Sequence, residues 1–223
     1  MTNWPTQVVA IDGPSGAGKG TIARAVARAL GWAYVDTGAM YRAVAWQTLE
    51  RGLLIADEES VATVAWSAAF EIDPERVAIN GRDVTALIRT PEMDVAAATA
   101  ARMPEVRRVL VARQREYAIA GPVVMEGRDI GTAVFPEAVI KIYLDASPAE
   151  RAKRRASDPA HGHSRSGEIG VVADALELRD HLDRTREASP LTCAHDAILI
   201  DTTGVGAKDV IEQVLGIVRN RLE

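Results

Sequence analysis

The chain has a single cysteine, Cys193, among 223 residues. That excludes an internal disulfide and a cysteine-based metal cluster. No apolar run approaches the length that spans a membrane. The first residues, Met1-Thr2-Asn3-Trp4-Pro5-Thr6-Gln7, lack the basic stretch and apolar core of a secretory signal, so a cytoplasmic location is expected. Positive charge is not in excess: the net charge of −5 argues against general affinity for nucleic acid polymers or anionic membranes. There is no internal repeat and no low-complexity tract. The four histidines, His161, His163, His181 and His195, fall late in the chain, and none is placed as an obvious general base. What remains, 48% hydrophobic and 26% charged residues, is the profile of a globular protein with one sizeable core and room for a small insertion.

One stretch organises the rest: Val8-Val9-Ala10-Ile11-Asp12-Gly13-Pro14-Ser15-Gly16-Ala17-Gly18-Lys19-Gly20-Thr21. The apolar, β-branched run ending at Asp12 reads as a short buried strand. The glycines then allow a tight return of the backbone, so that successive N–H groups point at one anion. Lys19 adds a full positive charge, and residues 21–30 read as a helix whose N-terminus faces the same phosphates. Strand, glycine loop, lysine and helix in this order make a P-loop. One position departs from the general pattern. Gly20 stands where a serine or threonine normally follows the lysine, and Thr21 comes one residue late. With no hydroxyl at position 20, Mg²⁺ is left to Thr21, to water or to a carboxylate elsewhere.

Further apolar runs predict strands at 32–36, 122–126, 139–144 and 197–201. Helices are predicted at 40–51, 57–69, 91–102, 105–118 and 207–222, in a segment carrying Arg151, Arg154 and Arg155, and in one ending near residue 187. Between them, residues 69–84 alternate like strands around Asn80-Gly81, a strong hairpin turn. Such an antiparallel piece reads as an insertion into an α/β fold with a parallel sheet covered on both faces. Ligands in such folds bind beyond the carboxyl ends of the strands, where residues 13–19, Asp36, Arg128, Asp129 and Asp201 all fall. Residues 158–170, with their Pro, Gly, His and Ser, read as a mobile loop.

Arginines carry the next signal. Arg28, Arg51 and Arg219 read as solvated surface, whereas Arg42, Arg107, Arg128, Arg154, Arg155, Arg179, Arg184 and Arg186 sit mostly at element ends or in the late region. Several fork-shaped cations converging on a P-loop suggest two phosphorylated substrates. An acceptor that is itself a phosphate is largely ionised at neutral pH, since its second pKa is about 6, so no general base is required. The task becomes bringing two polyanions together and neutralising the transferred group.

The ending Lys19-Gly20-Thr21 resembles that of the nucleoside monophosphate kinases, a P-loop family, and the match narrows to its bacterial cytidylate kinase branch. The motifs carrying it are Asp36-Thr37-Gly38-Ala39-Met40-Tyr41-Arg42, Gly127-Arg128-Asp129-Ile130-Gly131-Thr132, Lys141-Ile142-Tyr143-Leu144-Asp145-Ala146-Ser147, and Arg179-Asp180 with Asp183, Arg186 and Ser189-Pro190-Leu191. They run in the family's order across nearly the whole chain. The resemblance implies a single P-loop kinase domain over 1–223, with a five-stranded parallel sheet, a monophosphate-binding subdomain inserted at about 38–105 and a lid at about 156–187. It implies transfer of a phosphoryl group from ATP, with Mg²⁺, to CMP or dCMP in pyrimidine nucleotide metabolism, by a monomer. ATP would lie on Gly13, Pro14, Ser15, Gly16, Ala17, Gly18, Lys19, Gly20 and Thr21, with Arg154 packed on the adenine. CMP would meet Thr37, Tyr41, Arg42, Arg107, Arg128, Asp129, Arg179, Asp183 and Arg186. Of these, Arg42, Arg128 and Arg186 would clamp its phosphate, Arg179 and Asp183 its sugar, Arg107 and Asp129 its base. Lys19, Arg128, Arg184 and Arg186 would serve the moving phosphoryl group, and Thr21 with Glu126 the metal, through water. Where the family has a serine touching the base, six residues before Pro104, this chain has Ala98 beside Thr99, so weaker rejection of UMP is expected.

Two other readings stay open from the residues. A P-loop kinase of small alcohols would keep a hydroxyl residue directly after the lysine, which Gly20 argues against. A GTP switch would carry an Asn-Lys-x-Asp string, which is absent.

Overall fold

A computed structural model describes residues 7–158 and 169–222. His161 and His163 lie outside them, as do ten residues of the predicted loop, 159–168, and the first six of the chain. Five strands, β1 (Val8–Asp12), β2 (Ala33–Asp36), β6 (Val123–Gly127), β7 (Ile140–Asp145) and β8 (Ile198–Asp201), form a parallel sheet in the order β2-β6-β1-β7-β8. Their side chains sort with period two into separate cores. Val8, Ala10, Val123 and Met125 face a core shared with α2 (Thr37–Glu50), α3 (Glu58–Trp66) and α5 (Pro104–Ala120). Val9, Ile11, Val124 and Ile142 face the opposite core, closed by α1 (Lys19–Leu30) and α8 (Ala207–Leu222). Burial on both faces is why these strands read as continuous apolar runs. The register aligns Asp12 with Gly127, Asp36 with Glu126 and Asp145 with Asp201, so the polar ends share one edge.

The insertion is an antiparallel sheet of β3 (Phe70–Ile72), β4 (Val77–Ile79) and β5 (Arg82–Asp83). Asn80 and Gly81 take φ of 51° and 78°, the left-handed pair that a tight hairpin needs. The sheet packs on α2, where Arg82 pairs with Glu50 at 2.7 Å and lies 4.6 Å above the Trp46 ring. Next follows α4 (Pro91–Ala100), opened by the Thr90 hydroxyl accepting from Met93 N. Later α6 (Pro148–Ala156) and α7 (Ile169–Thr185) pack together, and α4 touches α7.

Three differences from the sequence reading bear on the site. Helix α1 begins at Lys19, not Thr21, because left-handed Gly18 already serves as its N-cap. Helix α2 begins at Thr37, not residue 40, because the Asp36 carboxylate caps it through Ala39 N at 2.8 Å. After β6 comes a π-helical turn, Ile130–Val134, that periodicity did not reveal. Its first N–H groups, on Ile130 and Gly131, donate to the two oxygens of Asp12 at 2.8 and 2.7 Å.

Candidate active site

The P-loop leaves β1 and wraps one wall of a cavity of about 450 Å³ at the strand ends. Ser15, Gly16, Gly18, Lys19, Gly20 and Thr21 line it, with Arg154 beside them. Lys19 is buried and its ammonium donates to Pro14 O at 2.7 Å, so the loop closes on its own lysine. Burial first, then repulsion by Arg128, pulls the Lys19 pKa down to about 7 against the opposing charges of Glu126 and Asp180. A phosphate beside this ammonium would restore its proton.

The Gly20 departure has a spatial cause. A Cβ at position 20 would stand 2.9 Å from Glu126 Oε1, so the β6 carboxylate occupies the space of a side chain there. Tyr34 Oη donates to the same Oε1 at 3.1 Å, and burial raises the Glu126 pKa. Glu126 and Thr21 both line the cavity. Among the described residues no cluster of three or more acidic, histidine or cysteine side chains forms a metal cage. One carboxylate and one hydroxyl fit Mg²⁺, which keeps several waters and takes its other ligands from phosphates.

The far wall is built of arginines from distant elements. Arg42, Arg89, Arg155 and Arg179 line it, and Arg128 spans to the loop itself, its Nη2 donating to Ser15 Oγ at 3.3 Å. Arg42 is held by Asp36 at 3.1 Å. Asp94, on α4, gathers Arg179 at 2.5 Å, Arg155 in a short contact, and Arg42 at 3.9 Å. Burial alone would raise the Asp94 pKa, but the three guanidiniums outweigh it and bring it to about 2. Arg42 Nε and Arg179 Nε are buried yet have no hydrogen-bond partner among the described residues. Two orphaned guanidinium N–H groups at a cation-lined wall mark a place for an anion.

The remaining predicted acceptor residues form a buried network beside the cavity rather than its lining. Arg107 pairs with Asp129 in a short contact and donates to Tyr41 Oη at 3.2 Å. Arg186 Nη2 lies 3.2 Å from Asp129 Oδ1 and its Nε donates to Ser189 O at 2.7 Å. Asp183 accepts from Arg128 Nε at 2.8 Å. Burial pushes the Asp183 pKa up, but Arg128, Arg179 and Arg186 prevail and hold it low. Thr37 is buried and donates to Glu126 O at 2.7 Å, tying α2 to β6. Arg154 is fastened to Thr202 Oγ1 at 2.8 Å and to Glu150 at 2.9 Å. Arg184 is exposed and outside the cavity, and so is Asp201, which caps Thr203 N. Among the described residues no histidine lines the cavity, and His181 and His195 are exposed.

Arg24, Arg89 and Asp94 were not singled out from the sequence. Arg24 had a signal: it follows Gly20 by four residues, the same face of α1. Asp94 had none beyond an acidic first helical turn, which serves the helix dipole equally well.

A parallel sheet with a glycine loop, buried lysine and helix N-terminus at its carboxyl edge, facing a wall of arginines, defines a P-loop phosphotransferase. The family model for cytidylate kinase matches residues 9–220, and the chain belongs to that family. It is 46% identical over 221 residues to a cytidylate kinase of Solibacter usitatus, covering 96% of this chain and 93% of that one. It is 45% identical over 217 residues to the cytidylate kinase of Lactiplantibacillus plantarum, covering 96% and 95%. Among solved structures, a gluconokinase from Sinorhizobium meliloti superposes with a TM-score of 0.51 at 13% identity over 98% of this chain and 94% of that one, a likeness of fold alone.

Proposed function

We propose that this chain transfers the γ-phosphoryl group of ATP to CMP and dCMP, giving CDP and dCDP. The observation that carries the reading is the facing of two anion sites across one cavity: the P-loop on one wall, and on the other arginines whose buried Nε groups, at Arg42 and Arg179, lack partners among the described residues. The donor phosphates lie along the loop amides at the N-terminus of α1, with Lys19 against the β- and γ-phosphates. Arg154 packs on the adenine. Arg42, Arg128 and Arg186 hold the CMP phosphate; Arg179 and Asp183 hold the sugar. The acceptor oxygen is already ionised, so it attacks the γ-phosphorus without a base while the bond to the β,γ-bridging oxygen breaks and ADP leaves, and the chain's work is alignment and charge neutralisation. Lys19 and Arg128 flank the moving group, with Arg186 behind them and Arg184 brought in as α7 closes. Mg²⁺, when bound near Thr21 and Glu126, neutralises charge on the donor phosphates. Residues 38–105 act as the acceptor-binding insertion and 156–187 as the lid; Asp94 links the two, bridging α4 to Arg155 on α6 and Arg179 on α7.

Arg107 and Asp129 read cytosine: a carboxylate takes the amino hydrogen and a guanidinium meets the ring nitrogen. Since they satisfy each other in the free chain, cytosine must share the carboxylate, not enter an empty slot. Steady-state assays with ATP and a panel of CMP, dCMP, UMP, AMP and GMP test the proposal. CMP and dCMP should lead; turnover led by a purine monophosphate would overturn the assignment.

A further inference from the structure

The phosphate loop is not shaped by its own backbone alone. Ser15, in its middle, is gripped at three points. Its N–H donates to Asp180 Oδ1 at 3.0 Å, its carbonyl accepts from Arg151 Nη1 at 3.0 Å, and its hydroxyl accepts from Arg128 Nη2 at 3.3 Å. Asp180 is 1% exposed and its other oxygen pairs with Arg151, whose Nε is spent on Ala146 O at 3.1 Å. Helix α6 lies flush with the loop at this point, since a Cβ on Gly16 would stand 3.0 Å from Arg151 O. Asp180 does not line the cavity, so the Ser15 N–H is committed to α7 and not to a phosphate.

All three grips lead to α7. Asp180 reaches Ser15 directly and also through Arg151, and Asp183 reaches it through Arg128 at 2.8 Å. Spaced three residues apart, the two carboxylates share a helix face. Arg179 and Asp183, the residues proposed for the acceptor's sugar, therefore stand on the same stretch of helix as the carboxylate that holds the donor loop. A charge needed only to neutralise Arg151 would not have to take the loop N–H as well.

We propose that Asp180 is a positioning residue that makes the shape of the P-loop depend on the seat of α7, so that acceptor binding tightens donor binding. The inference rests on the reading of α7 as an acceptor-binding element. Linkage requires the coupling to be reciprocal, and such couplings are typically about 5–150-fold.

The test is the affinity for Mg-ADP, measured by calorimetry with and without saturating CMP, in the wild type and in Asp180→Asn. CMP should tighten ADP binding about fivefold or more in the wild type. Asp180→Asn should bind CMP within about twofold of the wild type, bind ADP on the order of tenfold more weakly, and lose the tightening. Equal losses for ADP and CMP would mean that Asp180 only supports the fold, and unchanged ADP binding with the tightening intact would overturn the proposal outright. Because removing one member of a buried ion pair risks unfolding, amide exchange at Ser15 is measured in the wild type as well. CMP alone should slow it; exchange indifferent to CMP, in a chain that binds CMP, would refute the coupling. If the wild type binds no CMP, the acceptor assignment fails instead, and the ADP affinity of Asp180→Asn still decides whether the carboxylate shapes the loop.

Discussion

The two walls of the cavity are made in different ways. The donor wall is contiguous: residues 13–21 supply amides, a lysine and a helix N-terminus in a single run. The acceptor wall is assembled from α2, the segment before α4, the residue after β6, α6 and α7, and its arginines spend their charge on Asp36, Asp94 and Asp183. A loop of backbone amides needs no counter-ion when empty. A wall of guanidiniums does, because unpaired buried cations are costly. The first wall should therefore tolerate loss of its charge without loss of fold; the second should not.

The largest expected effect tests the donor wall. Lys19→Ala should lower kcat on the order of ten-thousandfold, the scale for removing a cation that meets the transferred phosphoryl group. Its stability should stay within about 1 kcal/mol of the wild type, because Lys19 is buried at a cost, with its pKa pulled to about 7. Steady-state kinetics and urea unfolding measure both; near-normal turnover in a folded protein would break the donor assignment.

The buried network beside the acceptor wall should respond in the opposite manner. Asp129→Asn leaves Arg107 and Arg186 facing a neutral amide, so unfolding should cost about 3 kcal/mol less than in the wild type. If Asp129 also reads the base, kcat/KM for CMP should fall more than for UMP. Equal losses would leave it a structural counter-ion only.

Acid sharpens the same contrast. The Asp94 pKa lies at about 2, below the ordinary 3.8, so its ion pairs contribute fully above about pH 4 and are lost as the pH falls toward 2. The shift corresponds to about 2 kcal/mol. Asp94→Asn should be less stable by about that amount at pH 7, with the gap narrowing below pH 4. A gap that stays constant with pH would show that the cluster contributes through packing instead.

The smallest effect concerns specificity. Ala98 is buried beside Asp94 and Val95 at a second cavity, of about 240 Å³, between α4 and α7. Restoring a hydroxyl with Ala98→Ser should sharpen the preference for CMP over UMP a few-fold, the worth of one hydrogen bond at roughly 0.5–1.5 kcal/mol. An unchanged ratio would place position 98 outside base recognition.

Local rules account for what was legible. The strand before Gly13, the Asn80-Gly81 hairpin and the closing helix were readable because each depends on neighbours in sequence. The start of α2 falls three residues earlier than its periodicity suggests, because an aspartate ending a strand looks the same whether or not it caps the next helix. The π-helical turn was invisible, since its first N–H groups, on Ile130 and Gly131, are satisfied by Asp12, 118 residues from Ile130.

By itself, then, the chain's order of residues determined the P-loop and the parallel α/β architecture, because amide geometry and period-two burial are short-range properties. Only the tertiary structure decided which carboxylate meets which arginine. Arg179 and Asp94 are 85 residues apart and Ser15 and Asp180 are 165 apart, distances over which no periodicity carries information. It also gave Gly20 its reason, for nothing next to that glycine in sequence reveals that Glu126 fills the space above it.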